Sequence, residues 1–388
     1  MNEHSTGGPA ARTSLSSIDL GRLRERLQAL HTGPAPTAAR AAPRERALPE
    51  TLGGEERDGC LVIRRDYAAT HHYGGVALQS LWQRMGTTFA TLGKDPALVD
   101  FDFRRTLFID TETNGIAGGT GTYAFLIGVG YWDGERFTIE QFFMRHPAHE
   151  QALLAHFSPL LERFDSFVSF NGKSFDLSVL EARYILNRQA RALKTRPHLD
   201  LLHPARRLWA RRLRTCTLSH LEQRILGVVR TEQDVPGYLI PQIYNDFLRS
   251  GTATALQRVI YHNHHDVLAL ATLATHMARC LQAPERHVAP HGQDLFSLAC
   301  LFEDEKHWTA AEACYRDALR VPLPLSLRRE VIQRLSMLLK RLGRWDEAVS
   351  LWRSQLGQGL LYPYVELAKF YEHRARDLEC AQHLVEQA

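Results

Sequence analysis

The order of elements between Thr106 and Leu202 constrains the fold more than any other feature of the chain. TLFID, YAFLIGVGYW and FTIEQFFM are three β-rich runs, separated by the turn signals NGIAGGTGT and DGER. The helical HEQALLAHFSPLLERF follows, then a fourth apolar strand, SFVSF, ending at Asn171, a helix from about Phe175, and a short fifth strand from His198 to Leu202. Strands first in succession and then alternating with helices predict an α/β domain. Its last helix, from about Ala255 to Leu281, is long and amphipathic.

With 388 residues and ~150 residues per domain, the chain holds two or three domains. Residues 1–58 carry one short amphipathic pattern and then the Pro/Ala/Gly-rich run TGPAPTAARAAPRERALPETLGG, which cannot bury enough apolar surface to order itself. They read as a flexible N-terminal arm. Residues 59–104 mix the strand-like LVIRRDY with the helical VALQSLWQRM and read as a lead-in segment packing on the α/β domain of residues 105–290. Residues 291–388 are helical and repeat: Leu298, Ala299, Trp308, Ala311 and Tyr315 recur 37 residues later as Leu335, Ser336, Trp345, Ala348 and Trp352. A third copy sets Leu367, Ala368 and Cys380 in register and reaches only into its second helix, where a capping helix is expected. The period is near the ~34 residues of a tetratricopeptide unit.

At 44% hydrophobic and 23% charged residues the composition is that of an ordinary globular protein, which excludes wholesale disorder and collagen-like repeats. Six cysteines without a CxxC pair suggest neither a zinc ribbon nor a disulfide framework. The N-terminus lacks a leader pattern, and the longest apolar stretch, Tyr123 to Trp132, falls far short of the ~20 residues that cross a bilayer. The expectation is a cytoplasmic protein with no membrane partner.

Asp110 and Glu112 close the first strand in FIDTET. Alternate strand residues share a face, and two adjacent anions repel unless a cation lies between them. A solvated edge turn would account for this pair alone. Asp176 lies in the first turn of the helix after FNGKSFD, where it also complements the helix dipole. In YHNHHDVLAL, His262 and Asp266 stand four apart on one helical face, as a structural hydrogen bond, a zinc pair or a base beside a metal ligand would.

In combination, D-x-E, N-x-x-x-F-D and H-x-x-x-D on strand, helix start and late helix resemble the DEDD superfamily of 3′-5′ exonucleases. DTETNGIAGGTGTYAFLIGVG, FNGKSFD, HLDLLHPARRLW, RTEQDVPGYLIPQIYNDFL and HNHHDVLAL look more closely like YprB-type ribonuclease-H-like nucleases, which can carry tetratricopeptide units behind the nuclease domain. The resemblance covers about residues 60–282. It implies a ribonuclease-H-like domain, a mixed five-stranded sheet with flanking helices, followed by an all-α tetratricopeptide-like repeat domain. It also implies a two-metal-ion nuclease with Asp110, Glu112, Asp176 and Asp266 as metal-binding carboxylates. Asp110 would bridge the ions, Glu112 and Asp266 would complete the nucleophile-side ion, and Asp176 would help the other through water. Hard oxygen ligands favour Mg2+ or Mn2+ over zinc.

The general base departs from the family's patterns, which place histidine five residues, or tyrosine four residues, before the last aspartate. Here Tyr261 and His262 exchange those places. His262 is favoured because it shares the face of Asp266 and imidazole titrates near neutrality; Tyr261 is the reserve. His264 and His265 read as solvated helix residues or a phosphate contact. By resemblance, backbone groups of Thr113, Asn114 and Gly115 hold the terminal nucleotide, and Asn171 and Lys173 lie near the scissile phosphate. Asp200 either orients a metal ligand or ends a strand.

The net charge of +4 is uninformative, but between Glu181 and Arg230 twelve Lys/Arg stand against three acids. Such a run attracts a polyanion, and Tyr184, Trp209 and Tyr238 could stack bases if they are not core. The expected partners are nucleic acid (DNA or RNA, a 3′ end) and a protein bound by the repeats. A structure-selective endonuclease on the same fold, or a repeat scaffold with a vestigial nuclease domain, are the other readings.

Overall fold

The computed structural model describes residues 48–83, 85–115, 121–288 and 291–388. Of the expected flexible arm, residues 1–47 lie outside the described residues. Its last eleven residues are built into the fold. Leu48–Leu52 form a short helix that buries both leucines, and β1 (Glu55–Arg57) pairs with β2 (Cys60–Ala68).

After a hairpin of β3 (His72–Tyr73) and β4 (Val76–Ala77) come β5 (Thr106–Thr113), β6 (Ala124–Asp133), β7 (Arg136–Met144), β8 (Ser166–Ser169) and β9 (His198–Asp200). The main sheet is mixed and has the order β1-β2-β7-β6-β5-β8-β9. Neighbours run antiparallel from β1 to β5, and β8 and β9 run parallel to β5. The sheet therefore has seven strands where five were expected. The two additions come from the arm and the lead-in: β2 pairs along its whole length with β7, from Cys60 opposite Met144 to Ala68 opposite Arg136. The strand-like LVIRRDY of the lead-in is thus a strand of the main sheet itself, whereas β1, which reads EER, shows no alternation by which a strand is recognised.

Side chains of β5 alternate between the two faces. Leu107 and Ile109 join one core with Phe157, Leu177 and Tyr184, from helices Glu150–Arg163 and Asp176–Leu186. Phe108 joins a second core with Val267 and Leu270 of the helix Leu256–Gln282. Asp110 and Glu112 continue the Phe108 side, so the alternation aims both carboxylates at the long helix. That helix lies close on β6: a Cβ at Gly128 would come 2.0 Å from Asn263 Oδ1, and one at Gly130 would come 2.7 Å from Val267. Parallel β5, β8 and β9 end at one edge of the sheet, which collects the motif residues that follow each strand.

The chain from Gly292 to Glu386 is all-helical. Leu298, Ala299, Ala311 and Tyr315, and their counterparts Leu335, Ser336, Ala348 and Trp352, are all buried. In the third copy Cys380 is exposed and its neighbour Ala381 is the buried small residue, a shift of one position from the expected register. The helical region is joined to the α/β region through a shared core and through Arg212, whose guanidinium lies 2.7 Å from the buried Asp294. Among the described residues no helix is long and apolar enough to cross a membrane.

Candidate active site

Three segments distant in sequence bring their acids together at the end of β5. Asp110 Oδ2 accepts a hydrogen bond from Asn263 Nδ2 on the long helix, 2.8 Å away. Thr111 points to the opposite face, where its N–H and hydroxyl both donate to Asp176 Oδ1, at 3.0 and 2.6 Å. One ligand atom each from Glu112, His262 and Asp266 lie within 4.8 Å of one another. His262 and Asp266 are one helical turn apart, with His262 Nε2 3.3 Å from Asp266 Oδ2.

The turn that delivers Asp176 is fixed by Asp200. Its carboxylate accepts the N–H groups of Asn171 (2.7 Å), Lys173 (3.0 Å) and Leu202 (3.1 Å). Asn171 takes a left-handed backbone, φ 68°. Gly172 packs so closely that a Cβ there would meet Ser169 Oγ at 2.3 Å and Asp176 Oδ2 at 3.3 Å. Asp200 thus orients the segment that presents a cluster acid. Lys173 Nζ pairs with Asp95 at 3.5 Å, outside the cluster. At the end of β5, Thr113 Oγ1 donates to the Gly115 carbonyl, and Asn114 Oδ1 accepts from the Tyr123 N–H. These side chains close the base of the hairpin and leave Gly115 lining a groove with Tyr238, Pro241 and Gln242.

Arg230 sits inside the cluster. Its guanidinium donates to Glu222 at 2.7 Å and to Asp266, and lies 3.6 Å from Asp234. Asp234 Oδ1 is in turn 2.8 Å from His262 Nδ1. Both ring nitrogens of His262 therefore face carboxylates, which alters the role expected of it as a base. Burial would lower its pKa, yet Asp266 and the hydrogen bond to Asp234 raise it to about 11. The neighbouring carboxylates thus favour the protonated ring. Burial would likewise raise Asp266, but His262 and Arg230 hold it down at about 2. Burial pushes Glu112 up to about 8 and Asp176 up to about 6. Burial and then the charges of Asp266, Glu112 and Asp176 raise Asp110 well above the ordinary carboxylate range.

The reserve candidate, Tyr261, is turned onto the neighbouring loop, its hydroxyl accepting from Thr231 N–H (3.2 Å) and Oγ1 (3.3 Å). His264 is buried and His265 half-buried. His264 Nε2 lies 2.6 Å from the Tyr67 hydroxyl and His265 Nδ1 lies 2.9 Å from that of Tyr73, and burial lowers the two rings to about 3 and about 4.

Part of the basic run is consumed within the fold. Arg183 binds Glu150, Arg196 binds the carbonyls of Leu161 and Phe164, Arg212 binds Asp294, and Arg230 serves the cluster. Arg188, Arg206, Arg211, Arg214 and Arg224 remain exposed. Of the three aromatics considered for stacking, Tyr184 and Trp209 are core, whereas Tyr238 is 74% exposed.

Residues 107–278 match the RNase_H superfamily. Over 352 residues the chain is 31% identical to the uncharacterized protein YprB of Bacillus subtilis (strain 168), in an alignment that takes in 86% of this chain and 81% of YprB. The chain belongs to the YprB family of the RNase_H superfamily. Among solved structures, the family B DNA polymerase from the hyperthermophilic archaeon Pyrobaculum calidifontis aligns with a TM-score of 0.33 at 14% identity, over 52% of this chain and 29% of the polymerase chain.

Within this YprB-family site, the residues that sequence reasoning missed are Arg230, Asp234, Glu222 and Asn263. In the sequence Arg230 stands at the end of the phosphate-attracting run, and Asn263 stands between two histidines. A signal was available for Asn263: the pair of glycines in LIGVG leaves room on β6 for a helix to approach.

Proposed function

We propose that the protein is a metal-dependent nuclease that removes nucleotides from the 3′ end of DNA or RNA with two divalent ions, Mg2+ or Mn2+. The observation that carries this reading is the convergence of Asp110, Glu112, Asp176 and Asp266 from β5, a helix start and a late helix. The donor set fits divalent cations. Six carboxylates, those four with Asp234 and Glu222, share one neighbourhood with one guanidinium and one imidazole. So many buried anions stay ionised together only beside further positive charge. The carboxylates of the four acids would hold the ions, which when bound supply an acidified water and neutralise charge at the phosphate. Thr111 and Asn263 orient two of these acids, and Asp200 orients the turn that presents one of them.

A groove of about 540 Å³ lined by Gly115, Tyr238, Pro241 and Gln242 offers a path for a strand. It adjoins the cluster, because a Cβ on Gly237 would stand 3.9 Å from His262 Nε2. The exposed Tyr238 is its stacking surface. The helices from Gly292 onward, with their repeated buried positions, support tetratricopeptide-type units that receive a protein partner. The setting is the cytoplasm.

The test is digestion of a 3′-labelled oligonucleotide and of a covalently closed circle with each metal. Loss of label together with an intact circle supports the exonuclease. Cleavage of the circle would replace it by the endonuclease on the same fold. No digestion of single- or double-stranded DNA or RNA with either metal would leave a scaffold built on the repeats.

A further inference from the structure

We infer that His262 is a ligand of the metal rather than the base that takes a proton from water, and that the site therefore favours a first-row transition ion, Mn2+ in particular, over Mg2+. This rests on the reading of the acidic cluster as a metal site.

Three features of the geometry carry it. His262 and Asp266 project from successive turns of one helix toward Glu112 on β5, and the three side chains place one ligand atom each within 4.8 Å of the others. Ligand atoms bound at ~2.0–2.2 Å stand about 3 Å apart around an ion, so small side-chain rotations close the set. Secondly, Asp234 engages His262 Nδ1 at 2.8 Å. A carboxylate on one ring nitrogen fixes the tautomer and directs the other nitrogen's lone pair at the metal, the arrangement found behind most metal-bound histidines. Here that other nitrogen is Nε2, the one facing Asp266 and Glu112. Thirdly, Arg230 satisfies the remaining oxygen of Asp266, Oδ1, so the ligand oxygen Oδ2 and Nε2 face the same point. Asp234 and Arg230 are positioning residues in this scheme.

A base would need a nitrogen able to take a proton from water and then to release it. Nδ1 is committed to Asp234 at 2.8 Å, and Nε2 lies 3.3 Å from Asp266 Oδ2. Asp234 would keep the ring's proton on Nδ1 and leave the Nε2 lone pair to an ion held with Glu112 and Asp266. An imidazole in the inner sphere changes selectivity. Mg2+ demands hard oxygen donors and gains little from nitrogen, whereas Mn2+ and its heavier neighbours accept imidazole readily.

The experiment uses the full chain, freed of metal with a chelator and titrated with Mn2+ under electron paramagnetic resonance. Pulsed measurement on the wild-type protein is expected to show nitrogen hyperfine modulation from a directly bound imidazole. His262→Gln is expected to lose the modulation and to weaken Mn2+ by about tenfold or more, while Mg2+, followed by competition, weakens by less than about threefold. Bound Mn2+ without nitrogen modulation, or equal losses for both ions, would overturn the inference and leave the metal-site reading intact. Mn2+ binding that Asp266→Asn does not diminish would instead remove the metal-site reading itself. The wild-type spectrum needs no variant, so it stays decisive if His262→Gln fails to fold.

Discussion

Arg230 donates to Asp266 from inside the acidic cluster, although the two residues belong to a loop and a helix 36 positions apart. The guanidinium is 6% exposed and also holds Glu222. A buried pair of this kind contributes little net stability over an apolar substitute, but removing one partner leaves the other charge stranded. Arg230→Gln is expected to destabilise the protein by about 3–5 kcal/mol, read from urea denaturation without metal. A loss below about 1 kcal/mol would mean that the loop relaxes and carries the acids into water.

Neutralising an acid should have the opposite effect on the empty site. Asp110 lies among Asp266, Glu112 and Asp176, whose charges oppose its ionisation. Asp110→Asn is therefore expected to raise the melting temperature of the metal-free protein by a few degrees, and to abolish the further rise that Mn2+ gives the wild type. Digestion of a labelled strand should fall by about two orders of magnitude or more. A variant that keeps the Mn2+-dependent rise would remove Asp110 from the metal site.

Tyr238 tests the strand path. Its side chain is 74% exposed, so Tyr238→Ala should leave stability within about 0.5 kcal/mol. Loss of one stacked base costs about 1–3 kcal/mol, so affinity for a fluorescent single strand should weaken by about 5- to 150-fold in a non-cleaving Asp110→Asn background. Unchanged affinity would move the strand to another surface.

The fold carries an acid sensitivity away from the cluster. Burial, with His287 and Arg279 nearby, lowers His276 to about 4. An unfolded histidine takes its proton near ~6.5. Below that pH the unfolded chain binds the proton and the native chain does not, so His276 contributes stability above pH ~6.5 that is lost as the pH falls toward 4. Between pH 7 and 5 the loss from this residue is on the order of 1–2 kcal/mol, and denaturant curves of wild type and His276→Gln should converge over that interval. Parallel curves would show that the ring protonates without opening the core.

Much of this was legible in the sequence because the alternation of β5 and the four-residue spacing of His262 and Asp266 are properties of a single element. The strands from Thr106 to Asp200 and the long helix stand within a residue or two of their expected places for the same reason. What was not legible depends on partners distant in the chain. β1 has no apolar pattern of its own and is a strand because it pairs with β2, while β2, strand-like in sequence, joins the main sheet because β7 offers it an edge. The arginines between Arg183 and Arg230 look alike in sequence, and only the fold assigns one to Glu150, one to Asp294 and one to the cluster. His262 was legible as a site residue, but not the occupation of both its nitrogens, since Asp234 reaches it from a loop 28 residues away.

The core that contains Val267 and Leu270 beside the cluster runs without a break into Leu298, Leu335 and Trp352 of the helical region. The change of pattern near residue 290 is thus crossed by continuous apolar packing. The helix that carries Asp266 and the helices behind residue 290 therefore share one apolar column, and each side of that boundary covers apolar surface of the other.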